Sequence, residues 1–242
     1  MNLKSLSVWL IYFASLTILS PSLSHAAHLV GFVSDRSAPE LLVVAHQFLD
    51  NYPEHRITLR RTHQLAELTD SELKQLLGDA DVFLMVGIFG EEVVRLESFL
   101  QKNELGKACH VIALNGDRRL TRLARVEGKR ILEDLSVEEL QEIHTNADSS
   151  TDAVTLLKQK LKEFPEQAHW IEARAYWQSK GTDNVAEMFA YLLKHRATGL
   201  TPRPLRPQAA IRYFQKGNAI SAADLDLKAG ESVIAILDLN SG

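Results

Sequence analysis

Cysteine is nearly absent from this chain: Cys109 stands alone among 242 residues, so no disulfide can form within it and its stability has to come from burial. Positive charge is also scarce. Twenty-seven Lys and Arg face 31 Asp and Glu, giving a formal net charge of −4. Nonspecific nucleic-acid binding needs a dense basic face to displace counterions, so this balance argues against it. No internal repeat and no low-complexity tract occurs, and the strong Gly-rich phosphate-binding fingerprints are missing. No spacing of Ser, His and Asp, of paired carboxylates, or of a thiol and a His points to catalysis, and no catalytic residue is named from the sequence.

What is present begins with an address. Lys4 supplies a positive start, residues 8–19 an apolar run, and residues 20–24, broken by Pro21, a more polar stretch. Ser24-His25-Ala26 places small residues where a signal peptidase reads, so residues 1–26 are expected to be a signal peptide cleaved after Ala26. The apolar run is short of the ~20 residues that span a bilayer. A retained anchor is the alternative reading. Export to a bacterial periplasm, with no stable membrane span after cleavage, is the expectation.

From residue 27 the pattern alternates. Apolar runs at 28–34, 81–87 and 110–114, and an alternating run at 56–60, read as strands. Between them lie helical patterns: one after Pro39 up to about Asn51, one capped by Thr69 or Asp70 and stopped by Gly78, and one over 90–101. Strands and helices alternating at this spacing imply a doubly wound parallel sheet, an α/β fold of the flavodoxin or Rossmann type over residues 27–117. Residues 118–130 are basic and weakly helical in pattern, with Arg118, Arg119, Arg122, Arg125, Lys129 and Arg130. Ser136 caps a helix over 137–144, residues 148–151 offer caps for another ending before Pro165, and 166–180 and 185–195 complete a helical region, 118–197. A proline-rich linker, 198–208, leads to residues 209–242, expected to be the first strands of a truncated next domain, with strands at 209–214 and 232–239.

One stretch carries more information than its periodicity. Residues 176–193 read Tyr-Trp-Gln-Ser-Lys-Gly-Thr-Asp-Asn-Val-Ala-Glu-Met-Phe-Ala-Tyr-Leu-Leu. Gly181 suits the left-handed stop of one helix. Asn184 is placed to cap the next, with Glu187 at the capping-box position. An aromatic pair, a Gly, an Asn three residues on and an aliphatic helix ending Tyr-Leu-Leu resemble the large-subunit family of cobaltochelatase (CobN type) and magnesium chelatase. Two more segments resemble that family in the same order. One is residues 80–92, an apolar strand leading to a Gly-acidic helix start. The other is the proline-rich crossing into Ala210-Ile211-Arg212-Tyr213-Phe214, where the family's Tyr-Pro is replaced by Tyr-Phe.

The resemblance implies the N-terminal part of a large subunit that holds a tetrapyrrole while a divalent metal is inserted, a ligase forming nitrogen–metal bonds. The chain alone would be inactive and no catalytic residue carries over. No cofactor is identifiable in the chain itself; the tetrapyrrole and the divalent metal belong to the full-length family. The export signal departs from cytoplasmic chelatases, which have ATPase partners. It suggests instead an exported protein handling tetrapyrrole or metal near uptake-system proteins. A stand-alone periplasmic ligand-binding or scaffold domain is the competing reading, and a domain serving protein contacts alone a third.

Ligands of doubly wound sheets favour the crevice at the carboxyl ends of the strands. Ser34, Asp35, Gly87 and Gly90 are therefore the candidate ligand-binding residues, although Gly87-Ile88-Phe89-Gly90 reads more simply as a tight turn, and Glu91 and Glu92 would repel an anion. No metal site is expected. His55 and His63 make odd partners across eight residues; His46, His144, His169 and His195 read as single helical histidines. Cys109 and His110 face opposite ways on a strand, and Cys109 reads as a small buried hydrophobe. The Arg118–Arg130 cluster could meet tetrapyrrole propionates, but a solvated face balanced by Glu127, Glu133 and Asp134 is simpler. Trp170, Tyr176 and Trp177 read as core.

Overall fold

The computed structural model describes residues 26–102, 105–106, 109–144, 153–206, 213–215 and 218–220. The apolar leader, the caps expected at 148–151 and the strand expected at 232–239 lie outside the described residues.

Strand β1 (His28–Val33) leads through α1 (Ala38–Asn51) to β2 (Arg56–Arg61), and short α2 (Thr62–Leu65) and α3 (Asp70–Leu77) lead to β3 (Val82–Val86). Helix α4 (Glu91–Lys102) connects β3 to β4 (His110–Leu114). The strand order is β2-β1-β3-β4, all parallel, so the chain starts in the middle of the sheet and winds outward both ways. The expected α/β architecture is present.

Local chemistry sets the helix boundaries where the sequence pointed to them. The Thr69 hydroxyl accepts from the Glu72 N–H while the Glu72 carboxylate accepts from the Thr69 N–H, a reciprocal cap at the start of α3. Ser136 and Glu139 repeat it at the start of α6 (Val137–His144). Each pair satisfies N–H groups that a helix start leaves free.

After β4 the structure departs from the sequence pattern. The stretch expected to be weakly helical forms only one short helix, α5 (Arg118–Arg122), followed by a hairpin of β5 (Arg125–Val126) and β6 (Lys129–Arg130) that joins the sheet antiparallel beyond β4. Its turn is Glu127-Gly128, both at positive φ. A left-handed pair of residues matches the twist of a two-residue hairpin loop, and this local turn chemistry outweighs the helical spacing of the arginines.

A parallel sheet has to be buried on both faces. Side chains alternate along each strand: Val30, Phe32, Phe83, Met85, Val111 and Ala113 pack with α3, α4 and α5. Leu29, Val33, Leu84, Val86, Ile112 and Leu114 pack with α1 and with two later helices, α8 (Ala168–Gln178) and α9 (Gly181–Leu193). Trp170 of α8 is fully buried, and its indole N–H donates to the Ala113 carbonyl of β4 at 2.8 Å. Phe189 of α9 meets Phe48 of α1 edge-on, with ring centroids 6.0 Å apart. The helical region thus shares one core with the sheet.

Helix α7 (Ala153–Glu163) and α8 finish the end of α6. The buried Lys160 ammonium donates to the Ile143 carbonyl at 2.8 Å, and Arg174 donates to the His144 carbonyl at 2.7 Å. Two cations at a helix C-terminus satisfy carbonyls that the helix leaves free and oppose its negative end. Burial pushes Lys160 down to about 8 and Arg174 down to about 10.

Asn184 is placed differently from the sequence expectation. Helix α9 starts at Gly181, so Asn184 lies inside it, buried, and does not cap the helix. Its amide instead donates to the carbonyls of Lys180 (2.9 Å) and Arg206 (2.7 Å), and its oxygen accepts from the Arg206 N–H (3.0 Å). Gly181 and Lys180 both have positive φ, which lets the chain reverse tightly between the two helices. Strands β7 (Tyr213–Gln215) and β8 (Asn218–Ile220) form a separate antiparallel pair.

Replacing Trp170 by Phe leaves the Ala113 carbonyl without its buried donor. An unmet buried acceptor costs about 1–3 kcal/mol. Urea denaturation of Trp170→Phe is expected to show a lower midpoint by that amount with an unchanged slope; an unchanged midpoint would remove the tie between α8 and β4 from the account of stability.

Candidate functional site

Two places in the fold gather chemistry-bearing residues, one at each end of the parallel strands. At the carboxyl end, β1 and β3 are neighbours whose following helices, α1 and α4, leave toward opposite faces. This is where a doubly wound sheet opens a crevice. Ser34 extends β1, its N–H donating to the Val86 carbonyl at 2.9 Å. The hydroxyls of Ser34 and Ser37 are 3.0 Å apart, and the Ser34 carbonyl accepts from the N–H groups of Ser37 and Ala38. Gly87 has φ 68°, donates to the Leu114 carbonyl at 2.9 Å, and would place a Cβ only 2.8 Å from the Ser34 hydroxyl.

Of the four expected ligand-binding residues, Ser34 and Gly87 are therefore in contact, packed against each other with the space between them filled. Asp35 points elsewhere, its carboxylate 3.2 Å from His63 and 4.0 Å from Arg61 in an exposed cluster. Gly90, with φ 78°, only starts α4. Residues 87–90 form a loop bent at Gly87 between β3 and α4, with Gly87 and Gly90 at positive φ and Glu91 and Glu92 in the first turn of the helix. Phe89 between the glycines is 60% exposed. Further round, Asp70, Glu91, Val94, Arg95, Ser98 and Phe99 line an open cleft of about 470 Å³. The Arg95 guanidinium there is committed to the carbonyls of Leu65 and Leu68.

At the amino end the structure brings together residues that the sequence left apart. His110, the first residue of β4, faces the α8–α9 side, while Cys109 before it belongs to the opposite core. His169 lies in the first turn of α8, and His195 follows the last turn of α9. Because these helices run antiparallel from a turn at residues 180–181, the start of one lies beside the end of the other. The three imidazoles meet, with centroids 5.1 Å (His110–His169), 5.7 Å (His110–His195) and 4.9 Å (His169–His195) apart. Tyr191 closes one side, 5.1 Å from the His169 ring. The reading of His169 and His195 as single histidines is corrected: each was seen on its own helix, and only antiparallel packing puts them on one spot.

His110 is 1% exposed, and both its ring nitrogens, like Nε2 of His169, are buried without a hydrogen-bond partner. Burial, reinforced by the neighbouring imidazoles, pushes His110 down to about 4 and His169 down to about 3; burial also lowers His195. Glu127, from the β5–β6 turn, opposes the shift at His110 and His195, and Arg196 adds to it. Among the described residues, no group of three or more His, Cys, Asp or Glu side chains is arranged, as it stands, to hold a metal ion. The lone Cys109 thiol is buried and pushed up to about 11, as expected of a buried hydrophobe and not of a reactive thiol.

Three further histidines act locally. His28 bridges Asp79 and Thr58 at 3.1 Å each, and the buried His55 accepts from the Ala27 N–H at 3.2 Å. The His144 ring lies tilted against Trp170, with centroids 5.0 Å apart. Trp170, Tyr176 and Trp177 are core, as the sequence indicated. The arginines at 119 and 130 pair with Asp117, Glu97 and Glu133.

Compared with known proteins, the chain matches no family model and no curated sequence. Among the described residues no helix is long and apolar enough to cross a membrane.

Two measurements check this geometry. Gly87→Ala forces an L-residue to positive φ and drives a methyl into the Ser34 hydroxyl; a loss of about 1–3 kcal/mol is expected, partly recovered in Gly87→Ala/Ser34→Gly. Equal losses in the single and double variants would refute the contact. For the histidines the sign follows from linkage. Their folded values lie below the unfolded value of about 6.5, so the stability they contribute is present above pH 6.5 and is lost as pH falls toward 4 and then 3. The slope approaches about 1.4 kcal/mol per pH unit for each histidine protonated only in the unfolded chain. Between pH 6.5 and 5, where carboxylates contribute little, His169→Gln is expected to flatten this slope; a parallel profile would contradict it.

Proposed function

We propose that this chain supplies the N-terminal α/β domain of an exported, CobN-like protein that handles a tetrapyrrole or its metal, without catalysing metal insertion by itself. The observation that supports this reading is what the residues carrying the resemblance do in space. Gly181 makes the reversal and Asn184 clamps Arg206. Glu187 accepts from the Arg203 N–H at 2.7 Å, and the Tyr176 hydroxyl donates to the Arg203 carbonyl at 2.7 Å. These side chains join in one task, holding the proline-containing segment 202–206 along the hairpin. A shared motif with that role belongs to the architecture of a domain and its exit path, not to a reaction centre. That agrees with an N-terminal, non-catalytic part.

Export rests on the leader. Cleavage after Ala26 would turn the buried Ala27 N–H, now bonded to His55, into the mature amino terminus beside that imidazole. The stand-alone ligand-binding reading draws on the crevice at the ends of β1 and β3, although Ser34 and Gly87 fill its centre.

The test is mass spectrometry of the native protein in a periplasmic extract, combined with thermal shifts against free-base and metallated porphyrin and corrinoid. The expected result is an N-terminus at Ala27, a mass beyond that of residues 27–242, and a shift with a tetrapyrrole in the native protein. An uncleaved chain in the cytoplasm would overturn export. A native chain ending at Gly242 that shifts with no tetrapyrrole would overturn the chelatase-like reading.

A further inference from the structure

The histidine cluster plays no part in the reading above, and it lies at the other end of the sheet from the crevice. Its geometry is unusual for a structural core. An imidazole carries one nitrogen that must donate and one that can accept, and buried polar atoms are nearly always paired, so an orphaned group asks for an ion or water. Here three nitrogens on two neighbouring rings are orphaned, two of them on a side chain that is 1% exposed. An apolar residue at position 110 would fill the same space without that cost.

The spacing of the rings indicates what would satisfy them. Metal–nitrogen bonds of about 2.0–2.1 Å at near-tetrahedral angles place the centroids of neighbouring imidazole ligands about 5 Å apart. The three observed separations, 4.9, 5.1 and 5.7 Å, fall around that value. We propose that His110, His169 and His195 together bind one divalent transition-metal ion of the zinc, cobalt or nickel type.

Imidazole nitrogen is the ligand such ions prefer, whereas magnesium and calcium take oxygen. The ligands come from three places in the fold: the buried start of β4, the first turn of α8 and the turn that follows α9. His195 is exposed, so the site opens to solvent on its side, and completing the ligand set requires this ring to turn from its present packing against His110, His169 and Tyr191. Both ring nitrogens of His110 and Nε2 of His169 have no hydrogen-bond partner, so no protein group competes with a metal for them. Lys194 and Arg196 raise the local positive potential, while Glu127 and Asp81 offset it. Three nitrogen ligands leave a fourth position for water or for a ligand atom from another molecule.

The site does not depend on the chelatase-like reading; an exported metal-binding domain of any kind would suffice. The test is titration of the metal-stripped mature chain, residues 27–242, with Co²⁺, followed by its d–d absorption and by displacement with Zn²⁺. One equivalent is expected to bind with the absorption of a four-coordinate site with three nitrogen ligands, and the melting temperature is expected to rise with free metal concentration. His195→Gln, at an exposed position, is expected to keep the melting temperature of the metal-free protein and to weaken binding by at least 10–100-fold, since losing a ligand costs no less than losing an outer-shell partner. His63→Gln, in the exposed Asp35 cluster, serves as the control and is expected to change nothing. Six-coordinate absorption, no binding at all, or affinity that survives both His195→Gln and His169→Gln would overturn the proposal.

Discussion

A parallel sheet exposes no face to water, and the covering of its second face is the constraint on which this fold depends. Helices α3 and α4 come from the crossovers and, with α5 after β4, cover one side. On the other side only α1 comes from a crossover, and one helix cannot cover four strands. The α8–α9 hairpin, more than fifty residues after β4 begins, supplies the remainder. Trp170 fixes its position through a hydrogen bond to the backbone of β4, where the indole can be buried whole because its one donor has a partner. The end of α6 and the segment at 203–206 both bond to that hairpin, through Arg174, Tyr176 and Asn184.

The same placement creates the histidine cluster. A hairpin symmetric about residues 180–181 aligns the start of α8 with the end of α9, and docking it on the sheet sets both ends over the first residue of β4. Packing that serves stability thus concentrates three imidazoles, and burial lowers the pKa of each. The carboxyl-end crevice shows the opposite result. There the topology favours a ligand, but the hydroxyl of Ser34 occupies the space that the absent side chain of Gly87 leaves. Topology nominates a location, and side-chain packing decides whether it is open.

The hairpin motif has a similar lesson. Gly, Asn and Glu at 181, 184 and 187 fit a helix-capping pattern in one dimension. In three dimensions the helix begins earlier, and Asn184 and Glu187 both turn to the returning chain at 203–206. An Asn inside a helix is poorly used by the helix itself, so a buried one points to a partner outside it.

Read in one dimension, the sequence locates the four parallel strands, the order of the α/β elements through β4, most helix limits and the burial of Cys109, Trp170 and Trp177. These follow from periodicity and capping, which act between residues a few positions apart. The hairpin at 125–130 was legible in principle, from Glu-Gly at its turn, but the spacing of arginines masked it. Tertiary structure alone decided which face the α8–α9 hairpin covers, that Ser34 closes against Gly87 while Asp35 turns away, and that histidines 59 and 26 residues apart in the chain share one site. Such contacts depend on where whole elements dock, and docking is set by the summed burial of many apolar side chains, which no local pattern around a single histidine records.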